Sequence, residues 1–163
     1  MKQRIAVLLV VGLMPWAELH AQAQTATTTF RVTAKVQAVC EITATDLAFG
    51  TYTSQGGTPL QATTLLRATC TPGSTYNVGL NEGTTAGSTV NQRKMASGTN
   101  ALNYQLYSDS ARSAIWGNTT GTDTVTGVGT GSVIGHNVYG SVPAAQSIPA
   151  GDYVDTITVR VYY

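Results

Sequence analysis

The chain has 163 residues, a formal net charge of +1 and only 10% charged side chains, so it has no positive footprint for neutralising nucleic-acid phosphates. Its length allows one two-layer core rather than two independent ones. With 42% hydrophobic residues and few charges, its surface must be carried by Thr, Ser, Asn, Gln and Gly, which suits a protein that assembles with copies of itself.

Residues 1–23 read as a secretory signal. Lys2 and Arg4 form a positive start, Ile5 to Met14 an apolar run that is too short to anchor in a bilayer, and Pro15 a break. Ala21-Gln-Ala23 supplies the small residues for cleavage after Ala23, with Ala21 the next choice. No cysteine lies near the cut, so lipid attachment is not expected, and no later segment is apolar enough to cross a membrane. Residues 24–163 carry seven cations and seven carboxylates and are expected in an oxidising compartment. There Cys40 and Cys70 most simply form one disulfide, closing a loop of about 30 residues and contributing about 3–4 kcal/mol; two free thiols are the alternative.

The exported part reads as strands from end to end. Phe30, Val32, Ala34, Val36, Ala38 and Cys40 alternate with Arg31, Thr33, Lys35, Gln37 and Val39, the period-two pattern of a half-buried strand. Leu47 and Phe49 predict a short second strand ended by Gly50, and Leu60 to Cys70 a long third one ended by Pro72-Gly73. Tyr76, Val78 and Leu80 follow, then a Gly/Thr/Ser loop from Asn81 to about Val90.

A short strand near 92–95 leads through Ser97-Gly98 to Leu102, Tyr104 and Leu106. Residues 107–117 fit a loop or one helical turn, with Ile115 and Trp116 folding back onto the core. Residues 117–131 read as a long solvated connection, Val133 to Val142 as a strand, and Ser147 to Asp152 as a turn. Tyr153, Asp155, Ile157, Val159, Val161 and Tyr163 then alternate to the last residue.

Six to eight strands without an amphipathic helix predict an all-β sandwich, with a closed barrel as the alternative. Both ends of the exported part are strand-like. A strand that includes a terminus is ordered only where something pairs with it: the other end of the same chain, or another molecule.

Several fragments in this order resemble one family. They are Phe30-Arg-Val-Thr-Ala-Lys-Val-Gln-Ala-Val-Cys40, Leu47-Ala-Phe-Gly50-Thr-Tyr52, Leu65-Leu-Arg-Ala-Thr-Cys70 and Leu102-Asn-Tyr-Gln-Leu-Tyr107-Ser-Asp109. Ala111-Arg112, Ile115-Trp-Gly117 and Pro149-Ala-Gly-Asp152-Tyr-Val-Asp155-Thr-Ile-Thr-Val159 complete the set. Together they resemble the spore coat protein U domain family, which includes subunits of archaic chaperone–usher pili of the Csu type. The resemblance implies an incomplete immunoglobulin-like β-sandwich, residues 37–163, completed by a donor strand. It implies that a periplasmic chaperone supplies that strand first and that a neighbouring pilus subunit replaces it at an outer-membrane usher, giving a homo-polymer or mixed fibre on the cell surface.

By position, residues 24–36 become the donor segment, with Phe30, Val32, Ala34 and Val36 facing inward and Arg31 and Lys35 outward. Cys40 and Cys70 match the family's bridge. The closing strand Tyr153–Tyr163, with Tyr153, Ile157, Val159, Val161 and Tyr163, flanks the open groove. A self-complemented coat protein, its first strand filling its own groove, uses the same residues.

No cofactor, metal ligand set or catalytic group is read from the chain. His136 is the one histidine of the exported part and reads as a surface or edge-strand residue; zinc needs three or four ligands. Ser110 or Ser141 with His136 and Asp109 or Asp152 makes a triad only on paper, since no nucleophile elbow is present. Gly127-Val-Gly-Thr-Gly131 has no following lysine and is not a phosphate loop. Tyr104, Tyr107 and Trp116 suggest a rival function, a secreted carbohydrate-binding module with an aromatic platform; core packing accounts for the same residues.

Overall fold

Period-two alternation builds two antiparallel sheets in the computed structural model of the chain, which describes residues 24–163. The cleavable signal assigned to residues 1–23 lies outside the described residues. Eight strands follow in chain order: β1 (Cys40–Ala44), β2 (Leu60–Cys70), β3 (Thr75–Leu80), β4 (Arg93–Ser97), β5 (Asn100–Tyr107), β6 (Val125–Val128), β7 (Ile134–Val142) and β8 (Val159–Tyr162). One sheet has the order β1-β2-β7-β5-β4 and the other β6-β3-β8. Among the described residues no helix is long and apolar enough to cross a membrane.

The longest register joins β2 to β7, from Leu60 opposite Val142 to Ala68 opposite Ile134. Every second residue of the central strands enters the core: Leu66, Ala68 and Cys70 from β2, Tyr76, Val78 and Leu80 from β3, and Leu102, Tyr104 and Leu106 from β5. The β4–β5 hairpin closes between Ser97 and Asn100, with Gly98 at φ 59°, the left-handed first position that a type II′ turn requires. Asp109 accepts the backbone N–H groups of Ser113 and Ala114 at 2.9 and 2.8 Å, and these bonds hold its carboxyl below the usual range. The turn it organises returns Trp116 to the core at 1% exposure, its indole N–H donating to the Val78 carbonyl at 2.8 Å. Residues 107–117 are therefore a loop without a helical turn.

Five sequence expectations change. The alternating segment 30–40 forms no strand before Cys40, and Leu47 and Phe49 lie in irregular chain. The polar stretch 117–131 contains β6, which pairs with β3 from Val125 opposite Val78 to Val128 opposite Thr75; its Gly and Thr content concealed a short edge strand. The closing strand is β-paired only over Val159–Tyr162, with a single bridge from Val154 to Ala96 upstream. His136 sits on β7, a central strand, half-buried, with its Nε2 2.9 Å from the Tyr76 hydroxyl and burial lowering its pKa. It is neither a surface nor an edge residue.

Cys40 and Cys70 are directly opposite in the β1–β2 pair, with Cα atoms 4.1 Å apart, and form the disulfide. The bridge ties the first residue of β1 to the last of β2, where Cys70 enters the core.

Candidate functional site

The two sheets do not close along one side. There β1, the edge of the five-stranded sheet, faces β8, the edge of the three-stranded one, and each pairs on one side only. A cleft of about 550 Å³ lies beside them, walled by residues 44–49 and by residues 153–159. Leu66, Leu80, Leu106 and Val138 line its floor. A second cleft of about 760 Å³ extends between residues 47–54 and 148–154. Leu47, Phe49, Met95, Tyr153 and Val154 line both, so the two form one trough. Its walls are irregular chain over most of their length, which leaves their backbone groups without a sheet partner on the trough side.

The C-terminal wall keeps its alternation without a continuous ladder. Tyr153, Asp155, Ile157, Val159 and Val161 are half-buried while their neighbours are exposed. Of the residues assigned to the closing strand, Tyr153, Ile157 and Val159 line the cleft, Val161 packs against the core, and Tyr163 is 61% exposed. Ile42, Leu47 and Phe49 are half-buried on the opposite wall. Apolar side chains on both walls thus border a space with an apolar floor that nothing in the body fills.

Polar bonds shape the wall where the ladder is missing. Val154 exchanges backbone bonds of 3.0 and 2.9 Å with Ala96 of β4, and five residues later Val159 pairs with Leu80 of β3. Between them the chain crosses from one sheet to the other. Asn81 donates its N–H to the Thr158 carbonyl at 3.1 Å and its side-chain oxygen accepts the Thr158 N–H at 2.8 Å. Asp155 accepts the Thr84 N–H at 2.8 Å and the Tyr104 hydroxyl at 2.6 Å. Burial, then the bond and charge of Asp155, push the Tyr104 hydroxyl far above its ordinary pKa.

A second polar centre lies in the core, and sequence reading missed it. Arg93 is 0% exposed. Its guanidinium donates to the carbonyls of Asn81 (2.8 Å), Leu80 (2.9 Å), Trp116 (2.7 Å) and Val90 (3.4 Å), and to Gln105 Oε1 (2.6 Å). All five acceptors are neutral, and burial lowers the arginine's pKa. This clamp gathers β3, β4, β5 and the Trp116 turn under the start of the 81–90 loop.

Chemistry is sparse elsewhere. Among the described residues no three His, Cys, Asp or Glu side chains gather as metal ligands. Tyr104 and Trp116 are 5% and 1% exposed, so they cannot offer a stacking platform to a sugar ring. The segment assigned as donor, residues 24–36, carries no strand, and Phe30, Val32 and Val36 are 86%, 81% and 83% exposed.

The Spore Coat Protein U domain matches residues 26–160, nearly all of the described chain. The chain belongs to the Spore Coat Protein U domain family. A family relative is Protein U of Myxococcus xanthus, 39% identical over 158 residues that cover 88% of each protein. Among solved structures, the chain is similar to a chain of the CsuC–CsuE chaperone–tip adhesion subunit pre-assembly complex from archaic chaperone–usher Csu pili of Acinetobacter baumannii. That match has a TM-score of 0.54 at 25% identity and covers 78% of this chain. The chain spans 40% of the length of that relative. The Spore Coat Protein U domain is accordingly an all-β, immunoglobulin-like sandwich of two antiparallel sheets.

Proposed function

We propose that this chain is a structural, non-catalytic subunit of a surface fibre, assembled by donation of residues 24–36 into the trough of a neighbouring copy. One observation carries the reading: a trough with an apolar floor between two half-paired sheet edges, in a chain that also has an exposed alternating segment without a strand. Strand addition satisfies both needs of such a trough, since main-chain bonds serve the edges and alternate side chains fill the space.

Phe30, Val32, Ala34 and Val36 are the inward side chains, and Arg31 and Lys35 stay in water. Burying the three larger ones is worth roughly 5–9 kcal/mol by area before the cost of ordering the segment. Each copy gives one donor and receives one, so the contact is head-to-tail and the polymer is open. Tyr153, Ile157, Val159, Val161 and Tyr163 belong to the strand that flanks the donor. Likeness to a chaperone–subunit complex of an archaic pilus supports a periplasmic chaperone as the first occupant of the trough. An outer-membrane usher, a place on the cell surface, and a part in attachment and biofilm formation complete the reading.

The junction favours donation between molecules over self-complementation. Val39 is already fixed to the body beside β1: its N–H donates to the Thr71 hydroxyl at 3.0 Å and its carbonyl accepts the Thr71 N–H at 2.9 Å. Reversal into the chain's own trough therefore falls to Gln37 and Ala38. Two-residue hairpin turns need positive φ and favour Gly, Asn or Asp, and neither Gln nor Ala suits them.

The test is Val32→Asp in the otherwise complete exported chain. An unpaired carboxylate cannot enter an apolar slot without a cost of several kcal/mol. Assembly, followed by sedimentation, should be lost, while the variant still accepts a synthetic peptide of residues 24–38. Fibres of normal length from the variant sink the proposal.

A further inference from the structure

Four exposed valines and a short connector place a second contact between neighbouring copies. Val36 is the last inward side chain of the donor, and Val39 is already fixed to the body by its two bonds to Thr71. Three residue steps separate them, at most roughly 10 Å of extended chain. That is about the distance between two packed protein layers. A donor seated up to Val36 therefore brings the end of its own body against the mouth of the acceptor's trough, leaving no room for a layer of bulk water.

The end in question is well defined. Cys40 and Cys70 lie opposite each other there, and the Gly131 N–H donates to the Cys70 carbonyl at 3.0 Å. Gly73 and Gly129 are joined by a 2.9 Å backbone bond, and any Cβ on Gly129 would run into the Thr71 and Cys70 carbonyls. The 71–74 turn, the 128–133 loop and the start of β1 thus form one rigid pole of the sandwich. Apolar side chains stand out from it: Val39 at 56% exposure, Val128 at 54% and Val133 at 61%. Single exposed valines are ordinary, but three at the one end that the connector forces into contact are not accounted for by the folded body.

We infer that the disulfide pole, through Val39, Val128 and Val133, is an interaction surface that packs on the rim of the trough into which the same copy has donated its strand. The occupant is a second copy of this chain, fixed by the connector length. This inference rests on strand donation between copies. The pole makes the joint between subunits a two-point attachment, in which the donor holds and the valines restrict its swing. A linked second contact slows separation without any change in the trough.

The experiment uses complete exported chains. The Val32→Asp chain, which keeps its trough, is immobilised as acceptor, and dissociation is measured for three partners. These are the synthetic peptide of residues 24–38, the wild-type chain, and a Val128→Asp/Val133→Asp chain whose thermal stability is checked against wild type. The wild-type chain should leave at least about tenfold more slowly than the peptide, the change that loss of one buried valine contact produces. The double variant should leave at the peptide's rate. Equal rates for wild type and double variant overturn the pole contact while strand donation stands. Failure of both the peptide and the wild-type chain to bind removes strand donation, and the pole contact with it.

Discussion

The Tyr104 hydroxyl donates to Asp155 Oδ2 at 2.6 Å, tying a core strand to a stretch of trough wall that has no ladder. The other carboxylate oxygen accepts from the Thr84 N–H at 2.8 Å and its hydroxyl at 3.1 Å, and from the Thr85 N–H at 3.3 Å. Asp155 therefore works as a peg. It faces inward, between Tyr153 and Ile157 in the alternation, and fixes the 81–85 loop on one side and β5 on the other.

Tyr104→Phe removes one arm of this peg and leaves a carboxylate oxygen without its donor. Loss of a hydrogen bond to a charged group costs about 1.5–3 kcal/mol, read as a lower midpoint in urea. The alkaline limb gives a second readout. Tyr104 is held neutral in the folded chain far above its ordinary pKa of 10.0, chiefly by burial, and ionises at about that value when unfolded. Its stabilising share is complete below pH 10 and drains away as the pH rises beyond. Burial raises Tyr76 as well, so the variant should show a shallower alkaline decline than wild type rather than none. An unchanged slope between pH 10 and 12 counts against this account.

Arg93 is the side chain on which the core depends most. Arg93→Met keeps the apolar stem and strands the carbonyls of Leu80, Asn81 and Trp116 in the interior. Leaving buried acceptors without their donor costs about 1–3 kcal/mol each, enough together to deplete the folded exported chain. Arg93→Lys keeps the charge but offers three donors from one point instead of a planar fork, and should recover only part of the loss. Purified yield and thermal midpoint rank the three chains: wild type first, Lys between, Met last.

Much of the sheet framework is legible in the alternation. Leu60 to Cys70, Tyr76 to Leu80, Leu102 to Leu106 and Val133 to Val142 all form strands close to their predicted bounds because each has neighbours on both sides. The same alternation over residues 30–39 and 153–158 does not produce strands, and the reason is physical. Period two records which face of a segment can be buried; a ladder also needs a partner, and the trough side has none within the body. The polar pegs were less visible. Asp155 stood in plain view at an inward position of an apolar alternation, a signal that a carboxylate there needs donors. Arg93 gave no comparable sign, since it lies between Gln92 and Lys94 in a sequence that reads as surface. His136 misled for a similar reason: its half-burial comes from Tyr76, 60 residues away.

Removing the disulfide separates the body's stability from its assembly. Cys40→Ser with Cys70→Ser frees a loop spanning a sequence separation of 30 and should lower stability by about 3–4 kcal/mol. Because the bridge joins neighbouring strands at the pole rather than the walls of the trough, the folded fraction should still accept the 24–38 peptide. Loss of peptide binding in chains shown by near-ultraviolet circular dichroism to be folded contradicts that separation.

Gly140 tests the trough from beneath. It lies on β7, and a Cβ placed there would meet Leu47 Cδ2 at 2.7 Å and Phe49 Cζ at 2.7 Å. Both side chains line the trough, and Phe49 also makes an edge contact with Tyr104 at 6.1 Å between ring centres. Glycine is what lets this wall lie down on the sheet. Gly140→Ala should push Leu47 and Phe49 toward the space a donor would fill, at a cost of about 1–3 kcal/mol from overpacking. Peptide affinity should then fall by more than the stability change accounts for. Leu47→Ala in the same chain returns the room that the new methyl takes. A double-mutant cycle on peptide binding should show coupling between the two sites, because they contact each other directly. Strict additivity would mean that the wall does not move, and that Gly140 serves the sheet alone.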